Sequence, residues 1–181
     1  FPDGGADPQR VQRETRRAIA AGADEVDVVL PWRSLLAGHD GVARDVLAAC
    51  REACGARARM KVILETGELG ASDAIRAAAG LALDEGADFL KTSTGKVAVN
   101  ATPEAAQLLL EAIAARGGGC GFKAAGGIRT LDDAARYFAL ADALLGVDWA
   151  GPERFRFGAS ALLGDILRVL GGGAGRDAGG Y

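Results

Sequence analysis

The sequence lacks the features that nucleic-acid-binding and membrane proteins require. Its 181 residues carry a formal net charge of −3, whereas binding to nucleic acid or to an anionic membrane surface needs a basic field. No apolar run reaches the ~20 residues that cross a bilayer. We therefore expect a protein that binds neither nucleic acid nor membranes, and any anion that it binds must be held by a local arrangement of donors.

Cysteine and histidine are also scarce. Cys50, Cys54 and Cys120 are the three cysteines, and an odd number without a recognisable secretory leader favours a reducing cytoplasm over a disulfide framework. Cys50 and Cys54 lie four residues apart on a predicted helix, a spacing that could serve a metal, but His39 is the single histidine. We interpret both as buried structural thiols, and we expect a soluble cytoplasmic protein without a metal site.

Helical and strand patterns alternate along the chain. The apolar spacing predicts helices over residues 8–22, 41–54, 72–85, 102–117, 130–141 and 161–171. Short apolar runs predict strands over residues 24–31, 60–66, 87–94, 121–127 and 154–160. Five β/α units without a linker favour a parallel sheet with helices outside it.

The predicted fold is α/β, a (β/α)8 TIM barrel of which this chain covers about the last five units. A doubly wound sheet would need a glycine-rich fingerprint after its first strand, but the chain begins with FPDGGADP, which resembles the exit loop of a preceding strand. A complete barrel typically needs ~250 residues. We expect residues 1–170 to form the C-terminal part of a single barrel domain, and residues 171–181 to form a flexible glycine-rich tail that ends in Tyr181.

Functional groups of a parallel barrel gather at the C-terminal ends of its strands. Asp27 lies inside the apolar run EVDVV, where a lone aspartate is costly unless it is paired or functional. Lys91 and Lys123 each follow the apolar core of a strand. Two ammonium groups that converge there repel each other and lose hydration, so the pKa of one of them falls. A lysine with a lowered pKa is more often a neutral amine, which is the form that attacks a carbonyl. Residue spacing alone leaves both Lys91 and Lys96 as candidates for nucleophile or phosphate ligand.

Three other charged positions belong to the first two predicted strands. Lys61 and Glu65 share one strand face because side chains alternate with a period of two. If that face is the barrel interior, Lys61 lies deep, Glu65 lies near the mouth, and the two could form an ion pair across the barrel. Glu25 is interpreted as a solvated residue of the turn between helix and strand.

The loops after the third, fourth and fifth strands have the composition of a phosphate cradle. They read STGK, AGGIR and FGAS, and they supply backbone N–H groups, hydroxyls and cations at the usual phosphate site of this fold. The alternative is that they are only tight turns, which also require glycine. STGKV is not a P-loop, because the spacing of that motif is not met.

Five stretches, EVDVVLPWRSLLAG, KVILETGEL, FLKTSTGKVAVNATPEA, GFKAAGGIRT and RFRFGAS, together resemble deoxyribose-phosphate aldolase, a class I aldolase family on a (β/α)8 barrel. The resemblance runs over essentially the whole chain. It implies reversible cleavage of 2-deoxy-D-ribose 5-phosphate to D-glyceraldehyde 3-phosphate and acetaldehyde through a lysine Schiff base, without a cofactor. The alternatives are another Schiff-base aldolase or transaldolase on a different sugar phosphate, or an inactive barrel fragment that binds a sugar phosphate.

The resemblance also implies roles for individual residues. Lys91 would form the Schiff base, and Lys123 would keep that amine ready to lose its proton. Asp27 would serve in proton transfer with an ordered water, and Tyr181 would reach back over the site for the same purpose. The substrate phosphate would lie on six residues, Gly95, Lys96, Gly126, Gly127, Gly158 and Ser160. The partners expected are small sugar-phosphate and aldehyde substrates, with a homodimer as one state of assembly.

The sequence departs from the family pattern in three places. Ala124 stands where the family usually has proline, and Ala161 replaces a serine after Ser160, which removes one hydrogen bond to the phosphate. The family's first three strands are absent from this chain. We therefore expect an open arc of five units that exposes two sheet edges.

Overall fold

Five parallel β-strands form the inner layer of the structure, a computed structural model that describes residues 1–171. The strands are β1 (Glu25–Val29), β2 (Arg59–Ile63), β3 (Phe89–Lys91), β4 (Gly121–Ala125) and β5 (Phe155–Gly158). Each pairs in parallel with the next along the chain, in the order β1-β2-β3-β4-β5. Because a doubly wound sheet would reverse its strand order near the middle, this sequential order is that of a (β/α) barrel, and the predicted five β/α units are confirmed.

Eight helices connect and cover these strands in residues 1–171. They are α1 (Pro8–Ala20), α2 (Trp32–Leu36), α3 (Asp40–Cys54), α4 (Thr66–Leu69), α5 (Ser72–Asp84), α6 (Pro103–Ala115), α7 (Leu131–Leu145) and α8 (Ala161–Leu170). The sequence did not predict α2 and α4, because one turn or little more gives no apolar repeat to detect. Thr102 is the N-cap of α6 and accepts a hydrogen bond from the Ala105 N–H at 3.1 Å, and Thr130 forms a capping box with Asp133.

Alternation along the strands separates an apolar outer face from a charged inner face. Outward side chains pack with the helices into one hydrophobic core that includes Val28, Met60, Val62, Leu90 and Phe122. Full burial of such side chains contributes about 2 kcal/mol each to the free energy of unfolding. The strand residues between them point to the concave side of the arc, so the same alternation that builds the core also directs polar groups inward.

All five predicted strands are longer than the observed strands, and the end of β2 has a specific cause. Residues 60–66 were expected to form a single strand, but β2 ends at Ile63. Glu65 has φ 55° and ψ 56°, in the left-handed region, and this conformation turns the chain out of the sheet into α4. No alternation pattern predicts such a turn, because only the backbone of one residue changes.

The thiol predictions agree with the structure. Cys50 and Cys54 are buried in the helix layer and Cys120 is partly buried, all as free thiols. Burial raises the pKa of the Cys50 thiol to about 12, in spite of a hydrogen bond with Thr15. Within residues 1–171, no group of three or more histidine, cysteine, aspartate and glutamate side chains is arranged to hold a metal ion.

No helix in the described part of the chain is both long and apolar enough to cross a membrane. The predicted tail lies outside the described residues from residue 172 onward, and so does Tyr181.

Candidate active site

The strand register brings charged residues from all five strands to the concave face of the sheet. Asp27 on β1 is the register partner of Lys61 on β2, and Lys91 on β3 is the register partner of Lys123 on β4. Lys123 is in turn paired in register with Arg156 on β5. The predicted neighbourhood of Asp27, Lys91 and Lys123 is therefore present in the structure.

Asp27 is the centre of this group. Its Oδ2 accepts hydrogen bonds from Lys91 Nζ at 2.6 Å and from Lys123 Nζ at 3.3 Å. Its Oδ1 accepts a hydrogen bond from Lys61 Nζ at 3.0 Å. The chain contains four lysines, and three of them converge on this one carboxylate. Such a concentration of a scarce residue type marks the inner face as a site with a purpose beyond surface solvation.

Glu25 belongs to the same network, next to Lys61. The prediction that it is a solvated turn residue is therefore wrong. Its Oε2 lies 2.6 Å from Lys61 Nζ and 2.7 Å from Arg156 Nη1. Glu25 opens β1 and stands two residues before Asp27, so both carboxylates point inward. Arg156 spans the arc from β5 to β1 in this contact. The period of two could have indicated Glu25, and the place of Arg156 between two phenylalanines of β5 could have indicated Arg156.

The pKa values of both Asp27 and Lys123 are lowered in this network. Burial raises the pKa of the Asp27 carboxyl, but hydrogen bonds and charges from the surrounding lysines, above all Lys91, outweigh burial and lower that pKa to about 2. Burial lowers the pKa of Lys123, and the charge of Lys91 lowers it further, against the opposite effect of Asp27. The lowered pKa that the sequence predicted for one of two converging lysines therefore belongs to Lys123.

Lys61 and Glu65 do not form the ion pair that strand alternation suggested. Lys61 is only 4% exposed, and its ammonium group is held between Glu25 and Asp27. Glu65 lies beyond the end of β2 and accepts two hydrogen bonds from Thr94. The prediction failed because it assumed that the strand, and with it the alternation, continued to Thr66.

The glycine-containing loops lie next to one another because β3, β4 and β5 are adjacent. Gly126 donates its N–H to the Gly158 carbonyl at 3.2 Å, which joins two of the loops. Gly126 has φ 85°, and a Cβ there would lie 2.7 Å from the Asn100 Cβ, so both conformation and space require glycine. At Gly158 a Cβ would lie 3.4 Å from Lys123 Cε, which shows how near this loop comes to the charged network.

The remaining proposed phosphate ligands surround the same edge of the sheet. Gly95 and Gly127 also have positive φ angles, of 82° and 83°. Lys96 is exposed and forms no ion pair within residues 1–171. Ser160 precedes α8, and its side chain makes no capping hydrogen bond. Within residues 1–171, the structure thus collects an unpaired cation, a hydroxyl that makes no capping hydrogen bond and three glycines with positive φ angles near the charged network, an arrangement that suits a phosphate.

A family model described as DeoC/LacD family aldolase matches residues 2–166 of the chain. The structure is similar to that of a proposed deoxyribose-phosphate aldolase from Toxoplasma gondii ME49, with 30% sequence identity, a TM-score of 0.82, and coverage of 93% of this chain and 67% of the other. A proposed deoxyribose-phosphate aldolase from Coccidioides immitis matches with 31% identity and a TM-score of 0.78, over 94% of this chain and 62% of the other.

A deoxyribose phosphate aldolase from Aeropyrum pernix, described as a tetramer, matches with 26% identity and a TM-score of 0.70, over 95% of this chain and 65% of the other. The chain thus spans about two thirds of the length of these solved structures.

Proposed function

Because the chain belongs to the DeoC/LacD family of aldolases, we propose that the network around Asp27 carries out class I aldolase chemistry, with Lys91 as the amine that forms a Schiff base. The observation that carries the proposal is the convergence of Lys91 and Lys123 on Asp27 from adjacent strands. The chain spans about two thirds of the length of the solved relatives. The reaction that we propose for the site is the one that the resemblance implies, reversible cleavage of 2-deoxy-D-ribose 5-phosphate.

The first step is attack of Lys91 Nζ on the substrate carbonyl. Lys91 is 7% exposed and in contact with Asp27 Oδ2, so its position is fixed, but an ammonium group must lose a proton before it can attack. Lys123 is the base best suited to receive that proton, because its pKa is lowered and its Nζ binds the same carboxylate oxygen. Asp27, with a pKa of about 2, stays charged and holds the two amines together.

The second step is cleavage of the carbon–carbon bond. Loss of water from the carbinolamine gives an iminium ion at Lys91, and this cation accepts the electron pair of the breaking bond as an enamine. The hydroxyl of the departing fragment loses its proton as its aldehyde forms. Protonation of the enamine carbon and hydrolysis of the resulting imine then release acetaldehyde and free Lys91. Lys123 is the group that we propose for these proton transfers, and the proton-transfer roles of Asp27 and Tyr181 stay predictions.

The phosphate of the substrate is proposed to lie on the loops that follow β3, β4 and β5. Lys96 supplies a cation that pairs with no carboxylate of residues 1–171, and the glycines at 95, 127 and 158 would offer backbone N–H groups. The Gly126 N–H is donated to the Gly158 carbonyl, so Gly126 would contribute its positive φ and its lack of a side chain. Ser160 at the start of α8 adds a hydroxyl at a helix N-terminus, where the peptide dipoles favour an anion. Ala161 offers no hydroxyl at the following position.

Borohydride trapping tests the proposal. The protein is incubated with acetaldehyde and borohydride, and the modified peptide is identified by mass spectrometry. We expect a reduced adduct on Lys91 that disappears in Lys91→Ala and persists in Arg17→Ala, a surface control on α1. A well-folded protein without an adduct on Lys91 would contradict the proposal. Release of acetaldehyde from 2-deoxy-D-ribose 5-phosphate, compared with other sugar phosphates, then identifies the substrate.

Residence in the cytoplasm and assembly as a homodimer stay predictions. The three free thiols support a reducing compartment. Sedimentation of the purified chain would determine its state of assembly.

A further inference from the structure

Glu65 occupies an unusual position for a residue outside the charged network. It is the one non-glycine residue with a positive φ in residues 1–171, and its side chain is 1% exposed. A left-handed backbone at such a residue is strained, and burial of a carboxylate adds a desolvation cost. No lysine or arginine of the described residues forms an ion pair with it. The surrounding contacts must therefore hold this residue in place.

Both carboxylate oxygens of Glu65 are bound by Thr94. Oε1 accepts the Thr94 backbone N–H at 3.0 Å, and Oε2 accepts the Thr94 hydroxyl at 2.6 Å. Thr94 Oγ1 in turn accepts the backbone N–H of Lys96 at 3.1 Å. The Thr94 hydroxyl therefore points its proton at the Glu65 carboxylate, and a lone pair of the same oxygen accepts the Lys96 N–H.

The same loop is anchored on its other side by Thr92. Thr92 Oγ1 accepts the Ala125 N–H at 3.0 Å at the end of β4, and the Thr66 N–H donates to the Thr92 carbonyl at 2.9 Å. The start of loop 92–96 is therefore bound to the end of β4 and to the first residue of α4. Lys96 is the first residue of the loop that is exposed and carries a charge.

We propose that Glu65 is a positioning residue that shapes loop 92–96 into a receptor for the substrate phosphate, acting through Thr94. The inference rests on the proposed function, because it assigns to the loop the phosphate of that substrate. Glu65 does not contact the phosphate. It fixes Thr94, and Thr94 fixes the backbone at Lys96 by accepting the Lys96 N–H, so that the Gly95 N–H and the Lys96 ammonium group are left for the phosphate.

The chemistry requires a carboxylate at this position. Thr94 presents two donors, and only a carboxylate offers two acceptor oxygens to meet them. An amide of the same size offers one acceptor and one donor. In Glu65→Gln the amide oxygen can meet only one of the two Thr94 donors. The amide NH2 then lies against the other donor or replaces the acceptor that oriented the hydroxyl proton. The loop would lose its order while the volume of the side chain stayed the same.

The test compares phosphorylated and unphosphorylated sugars. We would measure kcat/KM for 2-deoxy-D-ribose 5-phosphate and for 2-deoxy-D-ribose in the full chain and in Glu65→Gln, Thr94→Val and Thr94→Ser. Loss of a hydrogen bond to a charged group corresponds to about tenfold in binding, so we expect the ratio of the two values to fall about tenfold in Glu65→Gln and Thr94→Val. Thr94→Ser retains the hydroxyl and should keep the wild-type ratio.

Equal loss of both activities, with an unchanged ratio, would show that Glu65 only supports the fold and would overturn the inference. If Glu65→Gln does not fold, Thr94→Val carries the same test, because it keeps the buried carboxylate and removes only the hydroxyl. A wild-type chain that cleaves neither sugar and gives no trapped adduct on Lys91 would instead refute the proposed function.

Titration with inorganic phosphate tests the loop separately from the reaction. Weaker phosphate binding by Glu65→Gln than by the wild-type chain supports the inference, and equal binding overturns it.

Discussion

Asp27 lies closer to Lys91 than to Lys123, with its Oδ2 2.6 Å from Lys91 Nζ and 3.3 Å from Lys123 Nζ. The pKa of Lys123, the more distant of the two amines, is lowered. In the proposed function, the short ion pair holds Lys91 in place for attack on the carbonyl, and Lys123 gives up and takes back the proton.

Lys123→Met should slow formation of the imine at Lys91 and should not reduce stability at neutral pH. Removal of a positioned proton acceptor typically lowers a rate about 100-fold. The folded-state pKa of Lys123 is lowered, so the charged side chain reduces the free energy of unfolding at neutral pH. This reduction disappears only as the pH rises through the folded-state pKa toward the unfolded-state pKa. We would measure the rate of borohydride trapping and the thermal unfolding midpoint. A lower midpoint at pH 7 together with an unchanged trapping rate would contradict both parts.

Asp27→Asn should destabilise the protein in a pH-dependent manner. The pKa of Asp27 is lowered in the folded state, from 3.8 to about 2, so its contribution is present above the unfolded pKa and is lost as pH falls through the folded pKa. That contribution is about 2 kcal/mol at neutral pH. Urea unfolding of both proteins between pH 7 and pH 2 measures it: the difference in free energy should be constant above pH 4 and should shrink toward pH 2. A difference independent of pH would show that the charge is not its source.

Lys61→Met should destabilise the fold and disturb Asp27. Lys61 is nearly fully buried between Glu25 and Asp27, and removal of one member of a buried ion pair costs about 3 kcal/mol. Arg10→Met, which breaks the exposed pair between Arg10 and Glu14, is the matched control and should change stability little. Chemical denaturation measures both. Equal effects of the two substitutions would mean that the buried network adds nothing to stability.

Gly121→Ala should destabilise the chain because of Phe89. A Cβ at Gly121 would overlap the Phe89 ring, which is 1% exposed and pairs with Gly121 across β3 and β4. Overpacking of this kind costs about 2 kcal/mol. Gly119→Ala is the control, since a Cβ there meets no atom within 4 Å and its φ is not positive. Adding Phe89→Leu to Gly121→Ala should restore part of the loss; no rescue by that second substitution would point to a cause other than the ring.

Much of the architecture could be predicted from the sequence, because the period of two in strands and of 3.6 in helices is a local property. The five strands and their order of alternation with the longer helices were indicated in this way. The turn at Glu65 was not, because a left-handed conformation of one non-glycine residue depends on the partners that hold it. Thr94, which supplies both of those partners, lies 29 residues away.

The sequence by itself determined where the reactive groups stand along each strand: Asp27, Lys91 and Lys123 each interrupt or end an apolar run, and the glycine loops follow. The tertiary structure alone decided which charges meet. Lys61, Lys91 and Lys123 reach Asp27 from 34, 64 and 96 residues away, and Arg156 reaches Glu25 from 131 residues away. These contacts depend on the register between strands and on the curvature of the sheet. The apolar pattern of a single strand fixes only the face on which each side chain stands, and the partner it finds there is set by the neighbouring strands.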